Sequence, residues 1–216
     1  MTEFDTPTTL AQRARLVERL RLDTRISDAR VLEAFARIPR HCFVPDSQRG
    51  FTYEDRALPL LEGQTISQPT MIAIMLEALR LQKSDRVLEV GGGSGYAAAL
   101  LAELVGEVYT IEIRPRLAAM ARENLEGLGI HNVRVELRDG RYGLVEHAPF
   151  QGILVSAGAA KVPAQLLEQL APGGRIAIPV DDGYGQTLQV GHRRPDGGID
   201  WTPGVPCMFV PLVPAV

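Results

Sequence analysis

Apolar positions near the N-terminus fall at helical spacing. Leu10, Val17 and Leu20, with basic residues between them, predict an amphipathic helix over Thr8 to Leu22. Ser27-Asp28 then caps a second helix, Ala29 to Arg37, which Pro39 stops. Residues 40–45 and 53–60 are polar and punctuated by proline, so they read as ordered but irregular chain. From Arg86 onward the pattern changes to short apolar runs separated by helical stretches. The strands expected are Arg86–Val90, Glu107–Ile111, Val133–Leu137, Gly152–Ser156 and Arg175–Val180. Tyr96–Leu104, Pro115–Leu128 and Pro163–Leu170 are the helices between them, the last two opening on proline. This alternation implies an α/β fold, a mostly parallel twisted sheet with helices on both faces. After a turn at residues 181–185, Thr187–His192 and Met208–Leu212 are expected to add antiparallel strands.

The 216 residues suit a single domain, with 1–62 as an N-terminal helical and irregular cap and 63–216 as the core. A hydrophobic fraction of 45% and a charged fraction of 23% are ordinary for a globular chain. The formal charge of −3 gives no footprint for nucleic acid or an anionic membrane. No apolar run approaches ~18 residues and the polar N-terminus carries no signal peptide, so the cytoplasm is expected. Cys42 and Cys207 are expected to be buried thiols rather than a disulfide. His41, His131, His147 and His192 are scattered, and no metal site is expected.

The strand Arg86–Val90 runs into Gly91-Gly92-Gly93-Ser94-Gly95, and a helix follows from Tyr96. A strand turning through glycines into a helix leaves backbone N–H groups and a positive dipole end facing a cleft. Counting from Gly91, the dinucleotide spacing G-x-G-x-x-G fails because Tyr96 stands at the third position. The run is instead an acid (Glu89), one apolar residue, then G-x-G-x-G, which resembles the loop of S-adenosylmethionine-dependent methyltransferases. The next strand ends on Glu112, where a ribose-binding acid belongs. Asp139-Gly140 closes the third and reads either as an adenine contact or as a turn pair. Gly63 to Pro69, ahead of a helix over Thr70–Leu81, reads either as a helix cap or as part of the same cleft.

Over nearly its whole length the chain resembles the protein-L-isoaspartate O-methyltransferases. The matching pieces include Pro39-Arg40-His41, Phe43-Val44-Pro45, the run from Gly63 to Pro69, Arg86 to Gly91, Gly93 to Tyr96, Val108 to Glu112, and Phe209 to Leu212. The Gly-Gln-Thr-Ile-Ser-Gln-Pro run is specific to that family. The resemblance implies a Rossmann-like class I methyltransferase that uses S-adenosyl-L-methionine and methylates the free α-carboxylate of L-isoaspartyl residues in damaged proteins and peptides. The ester then cyclises to a succinimide that can reopen to aspartate, which is protein repair. It implies Ser67 as the active-site hydroxyl, with Thr65 and Ile66 beside it at the substrate. It implies that Glu89, Gly91, Gly93, Ser94 and Gly95 hold the methionine part of the cofactor, Glu112 the ribose, and Asp139-Gly140 the adenine. Gln68, Met71 and Gln186 match further cofactor-contacting positions. A monomer is expected.

Four places depart from the family's usual residues: Gln151-Gly152, Ser156–Ala160 (with Gly158), Ala97 and Arg138. They bear on the substrate more than on the cofactor. A dedicated aspartate carboxyl methyltransferase with one peptide or small-molecule substrate, and a non-catalytic cofactor-binding protein, are the alternatives.

Overall fold

The computed structural model describes residues 4–214. Helix α1 (Pro7–Arg21) starts one residue before the expected Thr8, on the Thr6 cap. The Thr6 hydroxyl accepts from Thr9 N at 3.1 Å, while Thr6 N donates to the Thr9 hydroxyl at 2.8 Å. Helix α2 (Ala29–Arg37) starts on Asp28, whose carboxylate accepts from Arg30 N at 2.9 Å. Two 3-10 turns follow, Arg40–Phe43 and Asp46–Phe51. Then comes a two-residue ribbon, β1 (Leu58–Pro59) against β2 (Thr65–Ile66). Helix α3 (Pro69–Leu79) ends two residues before the expected Leu81, because Arg80 takes a left-handed φ of 51°.

The α/β part comprises β3 (Arg86–Val90), α4 (Tyr96–Leu104), β4 (Glu107–Glu112), α5 (Pro115–Gly127), β5 (Val133–Leu137), β6 (Phe150–Val155), α6 (Ala164–Glu168), β7 (Leu170–Asp181), β8 (Gln186–Arg193) and β9 (Ile199–Cys207). Seven strands form one sheet in the order β5-β4-β3-β6-β7-β8-β9. Neighbours from β5 to β7 are parallel, and β8 and β9 are antiparallel additions. The chain lays down β3, β4 and β5 in one direction and then returns to place β6 on the other side of β3. The order therefore reverses between β3 and β6, where open α/β sheets bind ligands beyond the carboxyl ends of their strands.

Two expectations need correction. The last strand is β9 and not Met208–Leu212, which makes only an isolated parallel bridge, Pro211 to Gly158. Pro203 and Pro206 mask β9 in the sequence, yet an edge strand tolerates proline, and the β8–β9 register shifts between Thr187 and Gln189. The helix expected to reach Leu170 is only five residues long, because Leu170 already pairs with Phe150 and opens β7. Cys42 and Cys207 are free, as expected, but only half-buried.

The N-terminal helices share a core with the α/β part. Leu16, Leu20, Val31 and Phe35 join the cluster that contains Leu100, Leu101 and Val108. Phe35 meets the Tyr96 ring edge-on at 6.2 Å, and Phe43 lies 5.4 Å from the same ring. Phe35→Ala should cost about 3–5 kcal/mol of unfolding free energy. In urea melts followed by fluorescence and circular dichroism, one cooperative transition is expected to move to lower denaturant. A separate early transition of the N-terminal helices would show that they fold independently.

Candidate active site

At the reversal point the carboxyl ends of β3, β4 and β6 open into two adjoining cavities, roughly 560 and 440 Å³ with their mouths included. Thr65, Gly91, Gly93 and Ser156 line both and form the wall between them. Glu112, Gly140 and the 210–213 segment line the larger cavity. Ser67, Glu89, Ser94, Tyr96 and Phe209 line the smaller one. Ser67 and Glu112 thus face adjoining cavities that share Gly91 in their lining, although the two residues are 45 positions apart in sequence.

The glycine loop is held by hydrogen bonds that leave it little freedom. Gly91 N and Gly92 N both donate to Ile111 O, at 2.8 and 3.0 Å. The Glu112 carboxylate accepts from Gly93 N at 2.8 Å, from Ile113 N at 2.8 Å and from Arg114 N at 2.9 Å. Gly93 has φ 55°, and a Cβ there would meet only Leu60 Cδ1, at 3.7 Å, so it would stand in the cleft. Gly92 is constrained differently, since a Cβ would lie 2.4 Å from Thr110 Oγ1. The Thr110 hydroxyl donates to Glu89 at 2.7 Å and Ser156 Oγ donates to the other Glu89 oxygen at 3.3 Å. Glu89 is fully enclosed. Burial pushes its carboxyl up to about 7 against the pull of those two hydroxyls, and the Glu112 charge adds to the rise.

Some expected contacts lie elsewhere. Gln68 is exposed and donates to Asp55 at 3.1 Å, while Met71 is buried in the core; neither lines the cleft. Asp139 accepts from Arg141 N at 3.0 Å and pairs with the Arg141 guanidinium at 2.7 Å, so Gly140 rather than the Asp139 carboxylate reaches the cavity wall. Gln186 spends its amide on Phe209: its Nε2 donates to Phe209 O at 3.1 Å and its Oε1 accepts from Phe209 N at 2.7 Å. It anchors the segment that roofs the cleft instead of lining it.

The departures have local reasons. Gly158 leaves room for Gln186, whose Nε2 would lie 2.3 Å from a Cβ there. Gln151 Oε1 accepts from Arg86 N at 2.8 Å and so supports the start of β3. Arg138 pairs with Glu146 away from the cleft. Ala97 lies in the wall of the smaller cavity.

Sequence reading gave Ser156 no role beyond a departure along the cleft, and it missed Tyr96 and the roof from Phe209 to Val213 as site residues. Ser156 carried a usable signal, since it is the last residue of an expected central strand. The roof carried none. Among the described residues no group of three or more His, Cys, Asp or Glu side chains could hold a metal.

A parallel sheet with its ligand cleft at the β3–β6 reversal, and an acid ahead of a G-x-G-x-G loop, define a Rossmann-like class I methyltransferase. The profile of the Protein-L-isoaspartate(D-aspartate) O-methyltransferase (PCMT) family matches residues 11–216, and the chain belongs to that family. It is 49% identical over 205 residues to the protein-L-isoaspartate O-methyltransferase of Aeropyrum pernix, covering 93% of this chain and 79% of the relative. The Roseiflexus sp. protein of that name is 53% identical over 171 residues, 79% of this chain and 78% of its own length. A solved protein-L-isoaspartate O-methyltransferase superposes with a TM-score of 0.84 at 32% identity; the match covers 92% of this chain and 65% of that one. A Plasmodium falciparum structure solved with S-adenosyl-L-homocysteine has the same fold, with a TM-score of 0.82 at 24% identity over 94% of this chain and 98% of that one.

The enclosed Glu89 makes a pH-dependent contribution to stability. The unfolded chain ionises this carboxyl near 4.5 and the folded protein only near 7, so the folded state retains a proton across that window. Its contribution is full below pH 4.5 and is lost as pH rises through 7, by about 3 kcal/mol. Denaturation of the protein and of Glu89→Gln at a series of pH values should show that slope only in the former. Parallel profiles would mean that the Glu89 carboxyl ionises alike in the folded and the unfolded chain.

Proposed function

We propose that this cleft binds S-adenosyl-L-methionine and that the chain transfers the methyl group to the free α-carboxylate of L-isoaspartyl residues in damaged proteins and peptides. The observation that carries the reading is that Ser67 and the loop Gly91–Gly93–Ser94 line one cavity. The residues present suit the cofactor. Ser94 Oγ is buried in the cavity wall without a hydrogen-bond partner, Gly93 leaves the cleft open where a Cβ would project, and the Glu89 and Glu112 side chains line the cavities. Glu89, Ser94 and the glycines would hold the methionine part. Glu112 and Gly140 would hold the nucleoside part. When bound, the cofactor supplies an electrophilic methyl group on a sulfonium sulfur. Family membership, and the bound S-adenosyl-L-homocysteine in the Plasmodium falciparum relative, support the same ligand.

The chain's task is positioning. A carboxylate with a pKa of about 4 is already ionised at neutral pH, so no residue has to take a proton from it. No histidine lines either cavity. Ser67 donates a hydrogen bond that fixes one carboxylate oxygen, with Thr65 and Ile66 shaping the mouth. A neutral hydroxyl suits this better than a cation, which would stabilise the ground state more than the transition state. Fixing two partners in near-attack geometry can supply roughly 7–11 kcal/mol. The two free thiols favour a reducing compartment, and the reading extends to a cytoplasmic monomer.

The direct test is incubation with methyl-labelled cofactor and peptide pairs of unrelated sequence that differ only in Asp or isoAsp. Label should enter every isoAsp member and no Asp member. Acceptance of a single sequence would point to a dedicated modifier, and cofactor binding without transfer would end the catalytic reading. Ser67→Ala should lower turnover while the cofactor Kd stays near the wild-type value; unchanged turnover would remove Ser67 from the role. Glu112→Ala should weaken cofactor binding roughly ten- to hundredfold by calorimetry, through loss of one charge-assisted partner. An unaltered Kd contradicts the assignment.

A further inference from the structure

Arg40 is a charged residue with no exposed surface, in the 3-10 turn after α2. Its Nη1 donates to Thr52 O at 2.6 Å and to Glu54 O at 3.4 Å. Its Nη2 donates to Ser67 O at 3.0 Å and to Arg56 O at 3.3 Å. All four acceptors are main-chain carbonyls. The guanidinium also lies 5.7 Å from the centre of the Tyr96 ring, and Tyr96 opens α4 directly after the glycine loop. Tyr96 and Ser67 line the same cavity.

The next residues are gripped from the other side. The Asp55 carboxylate accepts from Thr70 N at 2.9 Å, from the Thr70 hydroxyl at 2.8 Å and from Gln68 Nε2 at 3.1 Å. Arg40 holds position 67, and Asp55 holds positions 68 and 70. Burying a guanidinium against carbonyls alone carries a desolvation cost that an apolar side chain of similar volume would avoid. What the arginine adds is geometry. Its planar fork reaches the 52–56 turn and Ser67 at once, whereas a lysine ammonium donates from a single point.

We propose that Arg40 is a positioning residue for methyl transfer, whose buried fork sets the Ser67 hydroxyl against the glycine loop across the cleft. The proposal rests on Ser67 holding the substrate carboxylate. Misplacing a reacting group by about 1 Å can cost on the order of a hundredfold in rate. Arg40→Lys is therefore expected to lose about ten- to a hundredfold in kcat, with the Kd for S-adenosyl-L-homocysteine near the wild-type value. Millimolar guanidinium should restore part of kcat in Arg40→Ala and leave Arg40→Lys unchanged. Should Arg40→Ala fail to fold, Arg40→Lys carries the test.

A folded Arg40→Lys with full kcat would overturn the proposal. So would kcat and cofactor affinity falling together with the folded fraction. Hydrogen exchange reads the same geometry without turnover. Protection should fall selectively at residues 64–70 in Arg40→Lys while Arg86–Val90 is unchanged, and a uniform loss or none would overturn it. If the wild-type protein transfers no methyl to isoaspartyl peptides, the proposed function fails, and the exchange result still decides for or against Arg40.

Discussion

The Glu112 carboxylate gathers three backbone N–H groups, from Gly93, Ile113 and Arg114, at 2.8–2.9 Å. An ionised acceptor makes such bonds stronger than neutral pairs. This one joins the loop after β3 to the end of β4, so the edge of the cleft exists before any ligand arrives. The geometry of the loop follows from that tie. Gly91 and Gly93 take φ of 91° and 55°, and Gly92 sits where Thr110 Oγ1 leaves no room for a side chain. Thr110 in turn binds Glu89. Glu89, Gly92, Thr110 and Glu112 form one unit in which each residue restricts the next.

Two outer layers fasten onto this centre. On one side the 40–70 segment brings Ser67 to the cavity through Arg40 and Asp55. On the other side Gln186 binds both backbone groups of Phe209. Gly158 N donates to Val210 O at 2.8 Å, and Leu212 N donates to Gly158 O at 2.7 Å. That lays the C-terminal segment over the cleft mouth. Neither layer belongs to the parallel sheet, yet both supply cavity lining. The sheet ends supply Gly91, Glu112 and Gly140 to the lining, and the added layers supply Ser67, Phe209 and residues 210–213.

Charge is distributed to match. The interior of the cleft carries carboxylates, Glu89 poised near neutrality and Glu112 satisfied by backbone. The buried cation Arg40 stands behind Ser67 and is turned away toward carbonyls. The acids line the cavities directly, while the positive charge lies behind the Ser67 carbonyl.

Much of this was legible in the sequence because it is local. Helix starts follow from caps and prolines, and β3 and β5 follow from short valine- and leucine-bearing stretches whose observed limits match the expected ones. The glycine loop followed from its spacing and the flanking acid. What the sequence could not carry is who pairs with whom at long range. Met208–Leu212 has the apolar character of a strand but forms only the isolated bridge from Pro211 to Gly158, whereas the proline-bearing β9 pairs because it lies at an edge. Gln186 has an ordinary polar side chain whose use is decided by where Phe209 comes to rest. Backbone preferences act over a few residues and are written in order along the chain. The enclosure of Glu89, the orphaned Ser94 hydroxyl and the reach of Arg40 to Ser67 depend on surfaces brought together only when the sheet closes and the outer segments pack.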